Sequence, residues 1–528
     1  MGKTKSEILY AGALLLIAAG ALWFRLPQLE LRPMHGDEAN QAVKTGMLLE
    51  KGVYVYDPKE HHGPTLYYLA QIPLRLAGVS RFSDSTESEY RIVPVLFGVG
   101  VILLLWILRD ALGRAATLVA AVLTAISPAM VFYSRYYIQE MLLVFFTFAA
   151  LACLWRYLEK RLEQAPPNEF GGGKNTPAKS ALWWIVACGA AVGLMHATKE
   201  TAVFSWVAMA VAVGVTVFAY GRWRAFSARE LLAGFVAAAV VSVVFFSSFF
   251  THPRGVLDSV LTYASYVHRA GGAGMHDHPW YYYLSMLVYY KRPFGPRWSE
   301  GLIVGLALVG MVAAFVSPGR ADKRLLRFLA VYTLVLTALY AIIPYKTPWS
   351  MLSFLHGMIL LAGVGAVTLV RWARWLPLRV VAALLIALAA FQLGNQAWRA
   401  SYLYAADFRN PYVYAHPAAD VLRLAERVED LAKASPEGHS LLVKVIRPGG
   451  DYWPLPWYLR KFERVGYWAE VPAEPDADII ITSPEMQPAL DPALKNVYQV
   501  ELYGLRPGVY LTVYIRRDLW ETFMRGRG

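Results

Sequence analysis

Residues 8–39 read ILYAGALLLIAAGALWFRLPQLELRPMHGDEA, an apolar run that ends at Arg25 and is followed by a pair of acids. From Ile8 to Phe24 there is no charged side chain and no proline. A membrane span needs roughly 20 mostly apolar residues, each adding about 1.5 Å across a hydrocarbon layer about 30 Å thick. A secretory leader would close on a small-residue cleavage site after a shorter apolar core. This run closes on Trp23, Phe24 and Arg25 instead, so it reads as the first membrane helix.

The rest of the chain repeats the pattern. Its 528 residues are 57% hydrophobic and 17% charged, whereas soluble domains carry about 25% charged residues. Further candidate spans are Ile92–Leu108, Ala115–Tyr133 (with Pro128 inside), Met141–Trp155, Ala181–Ala197, Thr201–Tyr220 and Leu231–Phe250. Leu302–Val316, Phe328–Ile343, Trp349–Val370 and Val380–Leu393 complete the set. The expectation is an α-helical polytopic membrane protein of about 11 transmembrane helices. The formal charge of +13 does not point to nucleic acid, because no basic run stands outside a loop that topology explains. Cys153 and Cys188 fall in candidate spans and form neither a disulfide framework nor a zinc spacing.

Lysine and arginine collect on cytoplasmic loops. Junctions bearing Arg109/Arg114, Arg156/Lys160/Arg161, Arg222/Arg224/Arg229, Arg320/Lys323/Arg324/Arg327 and Arg371/Arg374/Arg379 alternate with base-poor ones at Ser134–Glu140, Thr198–Glu200 and Pro344–Pro348. The alternation predicts a cytoplasmic N-terminus and an extracytoplasmic C-terminus. Residues 1–400 then form a transmembrane domain with long outer loops 25–91 and 251–300, and residues 166–177, containing Gly171–Gly173, form an inner linker. Beyond Leu393 the composition shifts. Pro417–Ala434 has helical spacing, and Ser440–Ile446, Ala477–Thr482, Tyr498–Leu502 and Val509–Ile515 read as strands. Residues 401–528 are therefore expected to be a small α/β soluble domain on the outer side.

Taken alone, Asp37 and Glu38 read as a solvated loop turn or as a helix start, with Asp37 capping the amphipathic stretch Ala39–Leu49. Other polar groups share their predicted depth. They are His61-His62-Gly63-Pro64-Thr65-Leu66-Tyr67-Tyr68 later in the first outer loop, Arg135 to Glu140, Lys199-Glu200, and Tyr345-Lys346. Ionisable groups at a membrane edge are costly to place there and default to functional candidates.

The Asp37-Glu38 pair after the first helix, the Pro64–Tyr68 element, the aromatic junction from Arg135 to Glu140 and Thr198-Lys199 together resemble the GT-C glycosyltransferases. The resemblance is to their protein-mannosyltransferase and lipid-A aminoarabinose-transferase branch. His35–Leu49 with Tyr54–Tyr68, and Gly450–Arg460, are similar to the flippase-activity-associated family of archaeal-type protein glycosylation. The likeness covers nearly the whole chain and rests on the order and sidedness of the motifs.

That resemblance implies transfer of a sugar from a polyprenyl-phosphate donor to a lipid, protein or glycan acceptor on the outer face, with inversion. Such a transfer needs a base for the acceptor hydroxyl and positive charge for the departing phosphate. By the family match Asp37 is the candidate base. Three roles stay open for Glu38 and Glu140: positioning the acceptor, binding a metal, or holding Arg135. Lys199 matches the family's Thr-Lys position and is the first candidate for the leaving phosphate, with Arg135 and Lys346 behind it. The alternative for each cation is a snorkelling interfacial side chain. His61, His62, Tyr67 and Tyr345 complete the expected substrate-binding set.

His61, His62, His276 and His278 leave a divalent metal open, although histidines beside Trp280–Tyr283 also suit an interfacial aromatic belt. No cofactor is required by the sequence. Asp451, Tyr452, Trp453, Trp457 and Tyr458 suit either sugar stacking or a packed domain contact. The competing function is a transporter or flippase component for lipid-linked sugars. Transporters carry inverted repeats with midplane polar groups, and here the polar groups gather at one edge.

Overall fold

A computed structural model describes residues 3–58, 62–164, 179–220, 227–270, 276–316 and 321–526. His61 and the expected linker 166–177 lie outside the described residues. The chain divides into two compact units. The first comprises Met1–Pro27, Val53–Leu69 and Arg91–Leu403; the second comprises Gln28–Gly52, Ala70–Tyr90 and Tyr404–Gly528.

Among the described residues, seven helices are long and apolar enough to cross a membrane, namely Lys5–Arg25, Glu87–Leu112, Glu140–Arg161, Ala228–Phe246, Lys323–Ile342, Pro348–Trp372 and Leu376–Leu403. Four shorter apolar helices, Arg114–Ile126, Ala181–His196, Ala202–Val217 and Gly301–Val316, occupy the remaining expected positions. The protein is a multi-pass membrane protein. On helix Leu376–Trp398, Leu384, Leu385, Leu388 and Phe391 are 63, 61, 66 and 75% exposed. An apolar face that open has hydrocarbon as its solvent.

The stretch expected as one span, Ala115–Tyr133, is two helices, Arg114–Ile126 and Pro128–Tyr133. The cause is Pro128, which has no N–H and leaves the carbonyl four residues back without a donor. Arg25 makes good that loss. Its fully buried guanidinium donates to Thr124 O and Ala125 O, both at 3.0 Å, and to Ser134 Oγ at 2.8 Å. On the other side of the break, Glu300 accepts from the Ala129 N–H at 2.9 Å and from Ser127 Oγ at 2.5 Å. Ser127 Oγ in turn accepts from the Met130 N–H and caps the second helix. A buried cation and a buried anion thus each satisfy a backbone that proline interrupted.

Close helix packing uses small residues. A Cβ on Gly365 would lie 1.9 Å from Leu306 O, and one on Gly310 would lie 2.1 Å from Leu361 O. Helices Gly301–Val316 and Leu352–Trp372 meet backbone to backbone there, as membrane helices do without a hydrophobic drive between them. The second long loop holds helix Arg254–Ala270, helix Tyr282–Val288 and a short antiparallel ribbon of β1 (Tyr290–Lys291) and β2 (Arg297–Trp298).

The second unit is built on a five-stranded mixed sheet in the order β4-β3-β5-β7-β6. Its strands are β3 (Leu442–Ile446), β4 (Arg464–Trp468), β5 (Ile479–Thr482), β6 (Tyr498–Arg506) and β7 (Val509–Arg516). β3 pairs parallel with β4 and β5, whereas β7 runs antiparallel to β5 and β6. Helix Asp420–Ala434 buries Val421, Leu424, Val428 and Leu431 against this sheet. The sequence reading did not include β4. It lies at the sheet edge, none of its residues is fully buried, and Gly466 breaks its β-forming run.

Candidate functional site

The polar residues expected from the sequence to carry chemistry fall into two groups, one described in each unit.

In the first unit, the turn between helices Lys179–His196 and Ala202–Tyr220 presents Thr198, Lys199 and Glu200, all buried. Residues 62–65 are bound to this turn. The Thr65 N–H donates to Ala197 O at 3.0 Å, and the Thr65 and Thr198 hydroxyls are 2.8 Å apart. Gly63 is required by the approach, since a Cβ there would fall 2.3 Å from Ala197 O.

Around the turn the charges pair off. Lys199 Nζ donates to Glu140 Oε1; the two residues are 7 and 4% exposed. Glu140 opens helix Glu140–Gln164, where a carboxylate faces the positive end of the helix. Its Oε2 is enclosed and has no hydrogen-bond partner among the described residues. Glu200 is held by His62 Nδ1 at 2.8 Å from Oε2 and by the Tyr56 hydroxyl at 3.2 Å from Oε1. Tyr54 donates to His62 O at 3.2 Å and stacks at a tilt on Tyr67, with ring centres 4.7 Å apart. Tyr67 is fully buried and forms the wall behind this cluster.

The other two expected cations serve their own chain. Arg135 Nη1 donates to Arg25 O at 2.6 Å, Pro27 O at 2.7 Å and the Tyr402 hydroxyl at 2.9 Å, and its guanidinium lies 4.4 Å from the Tyr402 ring centre. It therefore ties down the end of the first helix, and Glu140 pairs with Lys199 instead of it. Lys346 Nζ donates to His278 O at 3.0 Å and to Ile343 O, closing the turn after helix Lys323–Ile342. Tyr345 is 49% exposed and packs edge-on against His276.

In the second unit, Asp37 and Glu38 part company. The cap of helix Gly36–Lys51 is His35, not Asp37. His35 Nδ1 accepts from the Asp37 N–H at 3.0 Å, while Glu38 Oε2 accepts from the His35 N–H at 3.1 Å, closing a capping box. Glu38 Oε1 accepts from Arg32 Nη2 at 3.1 Å, and Glu38 is fully buried. Asp37 is left with its side chain 53% exposed. Burial holds His35 below the usual imidazole range, so it stays neutral and can accept. The segment Gly450–Arg460 packs as a domain contact. Trp457 is fully buried, its Nε1 donates to Glu87 at 2.9 Å, and the Arg460 guanidinium lies 3.7 Å from its ring centre. Tyr458 accepts the Met34 N–H at 2.9 Å, two residues before the acid-bearing helix starts.

Sequence reasoning counted Lys199-Glu200 among its functional candidates but gave Glu200 and Tyr56 no individual role. The signal was present, because Glu200 adjoins Lys199 in a junction already singled out. Among the described residues, no group of three or more His, Cys, Asp or Glu side chains could hold a metal ion.

Comparison with known proteins agrees with this architecture. Residues 73–256 match the family model of dolichyl-phosphate-mannose-protein mannosyltransferase. No curated protein matches the sequence significantly. Among solved structures, ArnT from Cupriavidus metallidurans bound to undecaprenyl phosphate superposes with a TM-score of 0.63 at 16% identity, covering 98% of this chain and 99% of that one. The archaeal oligosaccharyltransferase AglB from Archaeoglobus fulgidus, in complex with an inhibitory peptide and a dolichol-phosphate, gives 0.57 at 13% identity, covering 98% and 77%. The chain has the GT-C glycosyltransferase fold.

Proposed function

We propose that this GT-C-fold protein transfers a sugar from a polyprenyl-phosphate donor to an acceptor on the outer face of the membrane, with inversion at the anomeric carbon. The reading places its N-terminus in the cytoplasm and residues 401–528 outside, with 1–400 as the membrane domain. The observation that carries it is the enclosed Lys199–Glu140 pair at a helix end, with one Glu140 oxygen unpartnered.

Lys199 is the cation whose partner a phosphate can replace. Exchange of one carboxylate for one phosphate oxygen keeps the buried charge balanced, whereas drawing Arg135 or Lys346 away would orphan buried carbonyls. Arg135 and Lys346 thus act as supports of the donor site. Asp37 is the base, being the exposed acid of its pair. The acceptor hydroxyl gives its proton to Asp37 as its oxygen bonds to the anomeric carbon. The bond from that carbon to the phosphate oxygen breaks, and the leaving polyprenyl phosphate keeps the electron pair, a charge that a buried cation stabilises. His62 and Glu200 set the geometry of the Lys199 turn, and Tyr345 and His61 complete the substrate-binding set. A lipid-sugar flippase needs no base.

The test is transfer in proteoliposomes supplied with a polyprenyl-phosphate hexose and a mixed lipid-glycan and peptide acceptor pool. Asp37→Asn is expected to abolish product while the protein unfolds at the wild-type temperature. Undiminished transfer by that variant would remove Asp37 from the reaction. Movement of donor across the bilayer without any product would favour the flippase.

A further inference from the structure

A cavity of about 330 Å³ opens at the other end of the helices from Glu140 and Lys199. Chain order fixes that position. Arg114 opens the helix that leads toward Glu140, Lys323 opens the helix that ends before Lys346, and Arg371 lies in the last turn of the helix that starts after it. All three cations line the cavity, together with the apolar side chains of Leu112, Leu326 and Val364.

The charges there do not cancel. Arg114 is bonded to Ser6 Oγ at 2.6 Å and to Glu7. Of the neighbouring acids, Glu7 is further engaged by Arg109 at 3.6 Å, Asp110 lies 3.7 Å from Arg109, and Asp322 is paired with Arg324 at 2.6 Å. Lys323 and Arg371 have no ion-pair partner among the described residues and are exposed. Helix Arg114–Ile126 starts from Gly113, which supplies no side-chain cap, so the positive end of its dipole adds to the same field. Just past Arg371, Trp372 and Trp375 are 47 and 72% exposed, the arrangement of an aromatic belt at headgroup depth.

We infer that this cavity binds the phosphoryl headgroup of an anionic phospholipid. Lys323 and Arg371 meet the phosphate, and the apolar wall of Leu112, Leu326 and Val364 receives the start of the acyl chains. The mixed lining selects a lipid over free phosphate, because an inorganic ion would leave the apolar wall without a partner. Basic pockets between membrane helices bind anionic headgroups by this combination of charge and depth.

The experiment uses the full-length protein in detergent, with retained lipid counted by native mass spectrometry after titration with phosphatidylglycerol or phosphatidylcholine. Phosphatidylglycerol is expected to be retained in preference. Lys323→Gln and Arg371→Gln should each weaken it about five-fold, and roughly 25-fold together. Arg229→Gln, an exposed cation at the start of another helix and outside the cavity, should leave it unchanged. Equal retention of the two lipids, or an equal loss in Arg229→Gln, would overturn the site. Displacement of phosphatidylglycerol by millimolar inorganic phosphate would overturn the lipid assignment. Lys323 and Arg371 are both exposed, so the single substitutions report even where the double variant folds poorly.

Discussion

His62 Nδ1 lies 2.8 Å from Glu200 Oε2, so a loop histidine holds a buried carboxylate that stands next to Lys199. With Tyr56 on its other oxygen, Glu200 is doubly bonded. His62→Leu removes one partner and leaves an enclosed acceptor unsatisfied, which costs about 1–3 kcal/mol. His62→Gln retains a donor and should recover most of the loss. Thermal unfolding in detergent measures both, and equal midpoints for Leu and wild type would show that the contact contributes nothing.

Asp37 and Glu38 are neighbours with different tasks, and their isosteric variants separate them. Asp37→Asn should leave unfolding nearly unchanged and abolish transfer, because the Asp37 side chain is 53% exposed and its carboxylate lies 3.8 Å from His35 Nδ1, beyond hydrogen-bond distance. Glu38→Gln weakens both the capping box and the Arg32 pair. It should cost about 2–4 kcal/mol and reduce transfer only in proportion to unfolding. A Glu38 variant that is fully stable yet inactive would reverse the assignment.

Much of this was legible along the chain. The apolar stretches predicted the helices because span length is one-dimensional information, readable residue by residue. The break at Ser127–Pro128 was not, because its consequence depends on Arg25 and Glu300 arriving from distant sequence. The acid pair was visible as a motif. Which acid remained open to solvent was hidden, since histidine in the cap position disguises the usual Ser/Thr-x-x-Glu pattern. Lys199 and Glu140 were both singled out, but only folding showed that they pair with each other and that Arg135 binds backbone carbonyls instead.

Trp457 joins the sheet domain to Phe82, Glu87 and Tyr90 within the second unit. Trp457→Ala removes a fully buried indole and should cost about 3–5 kcal/mol. Trp457→Phe keeps most of the packing and loses the hydrogen bond to Glu87, for about 1 kcal/mol. Limited proteolysis checks the location: cleavage within residues 404–528 should accelerate in the alanine variant. Cleavage unchanged from wild type would mean that this contact does not hold the unit together.

His35 makes the helix start sensitive to pH. Burial lowers its pKa below the ordinary imidazole value of about 6.5, because a charged imidazole there is poorly solvated. Above about pH 6.5 the folded and unfolded chains are both neutral at this residue, and the stability it contributes is complete. As pH falls below that value the unfolded chain takes up a proton that the folded chain resists. Stability therefore declines from about pH 6.5 downward, until the folded pKa is reached. Protonation also removes the Nδ1 lone pair that accepts the Asp37 N–H. His35→Asn keeps a capping acceptor without a titrating group. Its unfolding midpoint should lose this part of the wild-type pH dependence, and identical pH profiles would exclude His35 as the source.

Lys199 and Glu140 allow stability and donor use to be separated by a double-mutant cycle. Lys199→Ala leaves Glu140 buried without its counter-charge, a change that costs about 3–5 kcal/mol when one partner of an enclosed pair is removed. Lys199→Met with Glu140→Leu removes both charges and fills similar volume, so most of that stability should return. Donor use should not. If Lys199 meets the leaving phosphate, the stable double variant remains at least about 100-fold slower with saturating donor, the scale of losing one charge stabiliser in the transition state. If the pair is only a structural strut, the double variant recovers transfer along with its unfolding midpoint. Measuring both quantities on one preparation decides between those outcomes.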